Sequence, residues 1–381
     1  MANQLRPGMA RSRPHCGLSQ AHPGVEPLNP LLHRSQRFQP LPEPLGEPPY
    51  HYTLETAIPN VAKMAKLIFH LTADVGGVKH PEYQRGVAAA MKGDLNLPPD
   101  AVPAFMYIVG DVVYFDGEVG DYYDQFYEPY DQYNAPIIAI PGNHDGDPVD
   151  SSQVSLDGFV RYFMTPTPIV QPESKDAPRV TLSLPNVYFT LECPFATIVG
   201  MYTNVPEHGS IDSVQQQWLT NEFATAPQDK ALILALHHPV YSFDDHHSGS
   251  PRMADAVQHA INDTSRVPNM VLTGHVHNYQ RIEKDLTGHE PTPFLVLGHG
   301  GYWHLHGMNA EAGHVDPETG ANLVFEEHKR HGYLTMTVDA DHISGSMILT
   351  DPFDQEPERD VDTFTYTANS LHLKRGKIVS L

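Results

Sequence analysis

The sequence predicts a layered α/β fold, and three observations carry that reading. Short apolar runs alternate with stretches of helical periodicity, the signature of strands packed against helices. Five of the apolar runs stop at a cluster of Asp, Asn, Tyr or His beside a small residue, most often glycine. No internal repeat recurs at a fixed period, and no apolar run approaches the length of a membrane span.

Taken in order, Lys66–Leu71 reads as a first strand that ends at Asp74, followed by helical character from Tyr83 to Met91. Ala104–Val109 is a second strand ending at Gly110-Asp111, and Tyr122–Tyr133 has helical spacing up to Pro136. Pro136–Ile140 is a third strand leading to Asn143-His144, with a helix expected over Val154–Phe163. Val187–Leu191 and Ala196–Met201 read as paired strands without ligand-type residues. Asp212 is placed to cap a helix over Ser213–Phe223, whose Trp218, Leu219 and Phe223 share a face. Ala231–Leu236 is a buried strand delivering His237, Ala254–Ile261 a helix, and Met270–Leu272 a strand delivering His275. Phe294–Leu297, Leu334–Val338 and Ile343–Ile348 complete the strands, with a Gly/His-rich loop expected over Gly298–Gly320.

Length allows one large α/β domain with a substantial core. The formal charge of −22 argues against a nucleic-acid or anionic-membrane binder, which carries a basic footprint. It leaves a phosphorylated substrate open, because bound cations reverse the local potential of a cleft. The two cysteines, Cys16 and Cys193, suggest neither a disulfide framework nor a cysteine-based metal site. Residues 1–60 are rich in Pro and Arg and lack apolar periodicity, so they are expected to form a disordered or loosely draped arm. The main domain is expected over 61–370 and a tail over 371–381. The first 50 residues lack the apolar centre of a secretory signal.

The five clusters are Thr72-Ala73-Asp74-Val75-Gly76, Gly110-Asp111-Val112-Val113-Tyr114, Gly142-Asn143-His144-Asp145, Leu234-Ala235-Leu236-His237 and Gly274-His275-Val276-His277. Alone, each has an ordinary explanation: Asp-x-Gly is a turn, and Gly-Asn-His-Asp is a β-turn or Asx-turn. In order, and all just beyond apolar strands, they supply two Asp, one Tyr, one Asn and three His. That edge of an α/β sheet is where loops converge into sites.

This set resembles the calcineurin-like metallophosphoesterases, and within them the purple acid phosphatases. The broad family usually opens with Asp-x-His. The purple branch has Asp-x-Gly followed by Gly-Asp-x-x-Tyr, as here in Asp74-Val75-Gly76 and Gly110-Asp111-Val112-Val113-Tyr114. The run from His237 to His247 resembles that branch too, and the likeness continues through Asn278-Tyr279-Gln280-Arg281 and Gly298-His299-Gly300-Gly301 to Gly332-Tyr333-Leu334, covering about residues 64–367. Three departures stand out. Asp145 replaces a common Glu, Leu234 replaces a Val-like residue, and the N-terminal β-sandwich of the plant members has no counterpart.

The resemblance implies a four-layer α/β/β/α sandwich with mixed sheets, holding two metal ions. Asp111 would bridge them. Asp74, Tyr114 and His277 would complete a first site suited to Fe(III), which a phenolate favours. Asn143, His237 and His275 would complete a second site suited to Zn, Fe(II) or Mn. A bridging hydroxide would attack phosphorus in line. His144, His246 and His247 would bind phosphoryl oxygens or protonate the leaving group, with Asp145 orienting His144. The expected substrate is a small phosphate monoester. A phosphodiester or pyrophosphate of a nucleotide is the alternative, and a scaffold without catalysis or a histidine-rich metal binder are further ones. The loops Val205–Ile211 and Trp303–Gly320 are expected to shape the pocket. Neither a stable nucleic-acid partner nor a membrane is expected. The missing signal points to the cytoplasm, whereas many purple acid phosphatases are secreted.

Overall fold

The computed structural model describes residues 37–150, 152–288, 290–353, 356–368, 371–372 and 381. Sixteen strands are described: β1 (His51–Thr53), β2 (Leu67–Thr72), β3 (Met106–Val109), β4 (Ile137–Ile140), β5 (Phe189–Glu192), β6 (Ala196–Gly200), β7 (Ala231–Ala235), β8 (Arg266–Val267), β9 (Met270–Thr273), β10 (Tyr279–Lys284), β11 (Thr292–Leu297), β12 (Asn322–Glu327), β13 (His331–Val338), β14 (His342–Thr350), β15 (Thr363–Thr367) and β16 (Leu371–His372). The α-helices are α1 (Glu82–Asp94), α2 (Asn143–Gly146), α3 (Asp157–Phe163), α4 (Ser213–Thr225) and α5 (Pro251–Thr264).

Two mixed sheets dominate. One has the order β1-β5-β6-β7-β9-β11-β10-β12 and the other β15-β14-β13-β2-β3-β4, while β16 pairs with β8 alone. In each large sheet the centre is parallel: β2-β3-β4 in one and β6-β7-β9-β11 in the other. These strands are buried along their whole length. That is why they read as unbroken apolar runs rather than as alternating ones. The layered α/β class expected from the sequence is the class the chain adopts.

Helix ends follow local chemistry. The Asp212 side chain accepts from the Gln215 N–H at 2.8 Å and starts α4 as expected. Ser250 does the same for α5, accepting from Met253 at 3.0 Å, with Pro251 at the first helical position. Met253, Ala256, Val257, Ala260 and Ile261 then form its buried stripe.

Other expectations need correcting. Tyr122–Tyr133 is not one helix but a 3₁₀ turn at Val119–Asp121, a π turn at Tyr123–Tyr127 and further turns. The part-buried Arg179 guanidinium donates to the carbonyls of Tyr130, Tyr133 and Ala135 and ties down the end of this segment. The helix expected from Val154 begins only at Asp157, because Leu156 takes φ +65°. The arm expected over 1–60 lies outside the described residues up to 36, but from 37 onward the chain is packed. The Gln39 N–H donates to Asn204 Oδ1 at 2.8 Å, Trp218 Nε1 donates to the Pro49 carbonyl at 2.7 Å, β1 adds in parallel to β5, and Leu54 is fully buried. Hydrogen bonds along the backbone hold this segment, and they leave no apolar period in the sequence. Of the expected tail, Leu371–His372 pairs with β8 and the Leu381 N–H donates to Gln258 Oε1 at 2.7 Å; residues 373–380 lie outside the described residues. A cavity of about 530 Å³ lined by Tyr52, Phe126, Tyr133 and Arg179 lies at the entry end of β4, opposite the ligand-bearing end.

Candidate active site

Every ligand candidate leaves the C-terminal end of a parallel strand. Asp74 follows β2, Asp111 and Tyr114 follow β3, Asn143 opens α2 after β4, His237 follows β7, and His275 and His277 follow β9. The turns are tight enough that Asp74, Asp111 and His275 take φ values of 56°, 51° and 66°. A non-glycine residue held there costs about 1–3 kcal/mol, and such strain collects where surrounding structure fixes a functional geometry. Two glycines are required by close approach. A Cβ on Gly110 (φ +92°) would lie 2.3 Å from His237 Nδ1, and one on Gly142 would lie 2.1 Å from Asp111 Oδ1.

All seven side chains meet. Tyr114 donates its hydroxyl to Asp74 Oδ1 at 2.9 Å and lies 3.3 Å from His277 Nε2. His237 Nε2 is 3.3 Å from Asp111 Oδ2, 4.0 Å from Asp74 Oδ1 and 3.1 Å from Asn143 Oδ1. His275 Nδ1 is 2.9 Å from the same Asn143 oxygen. The outer nitrogen of His237, Nδ1, donates to the Val109 carbonyl at 2.9 Å, which fixes the tautomer and turns Nε2 inward.

The electrostatics are those of a site built around positive charge. Burial, with the charge of Asp111, pushes the Asp74 carboxyl up to about 7. Burial works against the Asp111 carboxylate as well, but His237 and His144 outweigh it and hold Asp111 below the usual range. Burial likewise opposes a charge on His237, yet Asp111 and Asp74 raise it to about 9. Burial drives His275 down to about 3 and raises the Tyr114 phenol well above its ordinary value. His237 Nε2 thus faces Asp111 and Asp74, where a bound cation would compete with protons for the same donor atoms.

The donor set fits metal ions. Asp74, Asp111 and His237 offer ligand atoms that all lie within 4.8 Å of one another. Asp111 Oδ2, which faces the other ligands 3.3 Å from His237 Nε2, is buried and makes no hydrogen bond of good geometry among the described residues. Buried polar atoms of this kind are rare without a ligand or ion to satisfy them.

The residues expected around the substrate divide. His144 is well placed: its Nδ1 is 2.7 Å from the Phe115 carbonyl, and its backbone N–H donates to Asp111 Oδ1 at 2.9 Å. Asp145 does not orient His144. Its buried carboxylate accepts from the N–H groups of Val112 and Val113 and, at 2.7 Å, of Gly142, so it clamps the turns that carry Asp111 and Asn143. His247 lies beside the ligands, its ring 4.6 Å from that of His275. His246 is exposed, pairs with Asp245 and stacks on His306 at 4.4 Å.

Four further residues reach the site without having been singled out for it. The rings of Tyr302 and His306 lie 4.3 and 4.5 Å from that of His277, and His238 lies 4.3 Å from His275. Glu207 Oε1 is 3.2 Å from His247 Nδ1. Tyr302 and His306 belong to the Gly/His-rich loop and Glu207 to the Val205–Ile211 loop, so the sequence located their segments but not their roles. His238 is adjacent to a ligand, the one signal that marked it.

Comparison with known proteins agrees with this geometry. The calcineurin-like phosphoesterase family matches residues 70–279, more than half the chain. The 3',5'-cyclic adenosine monophosphate phosphodiesterase CpdA of Escherichia coli K12 is 26% identical over 171 residues, 44% of this chain and 51% of that protein. A "probable cyclic nucleotide phosphodiesterase" of Rhodopseudomonas palustris is 27% identical over 180 residues, 46% of this chain and 57% of that protein. The chain thus spans about half the length of the curated relatives it matches. Among solved structures, GAP50, the anchor in the inner membrane complex of Plasmodium, superposes with a TM-score of 0.55 at 13% identity, covering 82% of this chain and 91% of that one. PhoD superposes with a TM-score of 0.52 at 13% identity, covering 89% and 74%. At such identity these two speak to the fold alone. The family implies a dinuclear metal centre, and the residues that meet at the strand ends supply candidate ligands for it: the chain belongs to the calcineurin-like phosphoesterases.

Proposed function

We propose that this protein is a dinuclear-metal phosphoesterase that hydrolyses phosphate monoesters, of the purple acid phosphatase type. One observation carries the reading: the Tyr114 hydroxyl lies between Asp74 Oδ1 at 2.9 Å and His277 Nε2 at 3.3 Å. An aromatic oxygen with a carboxylate and an imidazole forms a hard, anionic donor set. Burial keeps this phenol protonated far above its ordinary range, so a strongly Lewis-acidic cation such as Fe(III) is what would ionise it. Asp111 would be shared between two ions, with Asn143, His237 and His275 holding the second, for which Zn, Fe(II) or Mn suits. Ions bound there supply Lewis acidity and an activated water. The chain's own part is to place the phosphoryl group. His144, fixed through Nδ1 by the Phe115 carbonyl, presents Nε2 to a phosphoryl oxygen. His247, held through Nδ1, is the better-placed donor to the leaving oxygen; the exposed His246 supports the rim.

A second reading is a phosphodiesterase acting on cyclic nucleotides, favoured by the names of the two curated relatives. The readings separate on purified protein loaded with iron and a divalent metal. Aryl and alkyl monoesters should turn over faster than an aryl diester or 3',5'-cyclic AMP. A visible phenolate-to-iron band should be present and should vanish in Tyr114→Phe. Preference for the cyclic nucleotide would favour the second reading, and absence of any band after iron loading would remove iron from the first.

A further inference from the structure

We propose that Glu207 is a positioning residue that fixes the metal ligand His275 and the substrate-side His247 with one carboxylate. The proposal rests on the reading of the site as a metal-dependent phosphoesterase centre. It adds to that site a residue from outside the five strand-end clusters.

The geometry around His275 carries the argument. Its Nδ1 faces the ligand set, 2.9 Å from Asn143 Oδ1. Its Nε2, on the far edge of the ring, is buried with no hydrogen-bond partner among the described residues, and it lies 3.9 Å from Glu207 Oε1. A histidine that gives one nitrogen to a metal characteristically directs its other N–H at a carboxylate or carbonyl, which sets the tautomer and raises the basicity of the ligand. For His237 the Val109 carbonyl has that role. For His275 the group in that direction is Glu207. The separation exceeds a direct hydrogen bond, so the contact is that of a carboxylate facing the N–H edge of a neutral ring. The same Glu207 oxygen is 3.2 Å from His247 Nδ1. It accepts a hydrogen bond from the His247 Nδ1–H, which leaves Nε2 for the substrate.

The backbone holds Glu207 there by construction. The loop after β6 turns at Asn204 (φ +60°) and again at His208 (φ +66°) and Gly209 (φ +70°). The Gly209 N–H donates to the Pro206 carbonyl at 2.7 Å, closing a four-residue turn with Glu207 at its second position. The Ser210 N–H returns to the Thr203 carbonyl at 2.8 Å, and the Ser250 hydroxyl, which also caps α5, donates to the His208 carbonyl. Asn204 is tied to Gln39 at 2.8 and 3.0 Å. Two positive-φ non-glycine residues in one short loop are costly, and the turn they make aims a carboxylate at two histidines.

The test uses the full chain, metal-loaded, with Glu207→Ala and Glu207→Gln beside the parent. Metal release is followed against increasing chelator, and binding of inorganic phosphate is measured on the loaded proteins. Glu207→Ala should keep two ions at saturating metal but lose affinity for one of them by about 10- to 100-fold, and bind phosphate more weakly. Glu207→Gln, which keeps an acceptor oxygen but not the charge, should fall between and covers the case in which the alanine variant folds poorly. A purely structural role would lower the melting temperature of the metal-free protein and leave metal affinity unchanged, overturning the proposal. Three ions in the parent and two in Glu207→Ala would also overturn it, by making Glu207 a ligand. A parent that binds no metal and cleaves no ester would take down the functional reading with it, a result visible before any variant is compared.

Discussion

The sheet carrying β2, β3 and β4 brings oxygen donors to the site (Asp74, Asp111, Tyr114 and Asn143), whereas the sheet carrying β7 and β9 brings only imidazoles, His237, His275 and His277. The two halves are also held differently. The oxygen half supports itself: the Asp74 N–H donates to the Gly110 carbonyl at 3.1 Å, the Val75 N–H to the Asp111 carbonyl at 3.0 Å, and Asp145 clamps the turns after β3 and β4. The imidazole half leans on it. The His275 N–H donates to Asp74 Oδ2 at 2.9 Å, and the His237 ring donates to the Val109 carbonyl. Damage to the oxygen half should therefore spread across the whole centre, while damage on the imidazole rim should stay local.

The sharpest test of that asymmetry is Asp111→Asn. The substitution removes the carboxylate assigned as shared between the two ions, whose Oδ2 lies 3.3 Å from His237 Nε2 and whose Oδ1 also holds the His144 N–H. Hydrolysis should be abolished, and both ions should be lost together on dialysis. Chelating the parent should lower its melting temperature too, since ions bound at about 100 times their dissociation constant stabilise the fold by about 2.7 kcal/mol. A variant that retains one ion at full occupancy would show that the halves are independent and that Asp111 is not shared.

The asymmetry also explains what the sequence disclosed. The ligand-bearing strands are parallel and buried on both faces, so LIFHLT, MYIV, IIAI, ALILA and MVLT announce themselves as apolar runs. The residues just past them are marked by position. Strands β10 and β12, YQRIEK and NLVFEE, carry charge and are only partly buried, so neither gave a strand signal. The helix expected over Tyr122–Tyr133 is broken into short turns, and Arg179, far along the chain, ties down the end of that segment through the carbonyls of Tyr130 and Ala135. Glu207 was illegible for a similar reason. Its role depends on where a loop turns in space, and a lone Glu after a proline carries no pattern. Asp145 was visible, but its partners are backbone N–H groups of another turn, which sequence adjacency to His144 concealed.

Asp145→Asn should come next in size. Three backbone N–H groups converge on this carboxylate, and an amide would oppose them with an NH₂. Leaving buried donors unpaired costs about 1–3 kcal/mol. The melting temperature should fall even without metal, and metal occupancy should fall with it because Asp111 and Asn143 lose their common brace. If instead the metal-free stability were unchanged and only turnover dropped, Asp145 would be acting on His144 after all.

The smallest effects belong to the rim, and they test whether damage there stays local. His144→Ala and His247→Ala should keep both ions and lose about 10²- to 10³-fold in rate, the usual contribution of a donor to a developing phosphoryl charge. The loss in His247→Ala should be larger for an alkyl ester than for an aryl ester, because an aryl oxide leaves without a proton. His246→Ala should change little: the ring is exposed, its partner Asp245 is a neighbour in sequence, and its stacking partner His306 packs against His277 in its own right. Metal content and rates on both esters, measured on the three variants side by side, decide the matter. Equal losses in His246→Ala and His247→Ala would mean that Glu207 confers no special placement on His247, and full activity in both would move the phosphate site away from this rim.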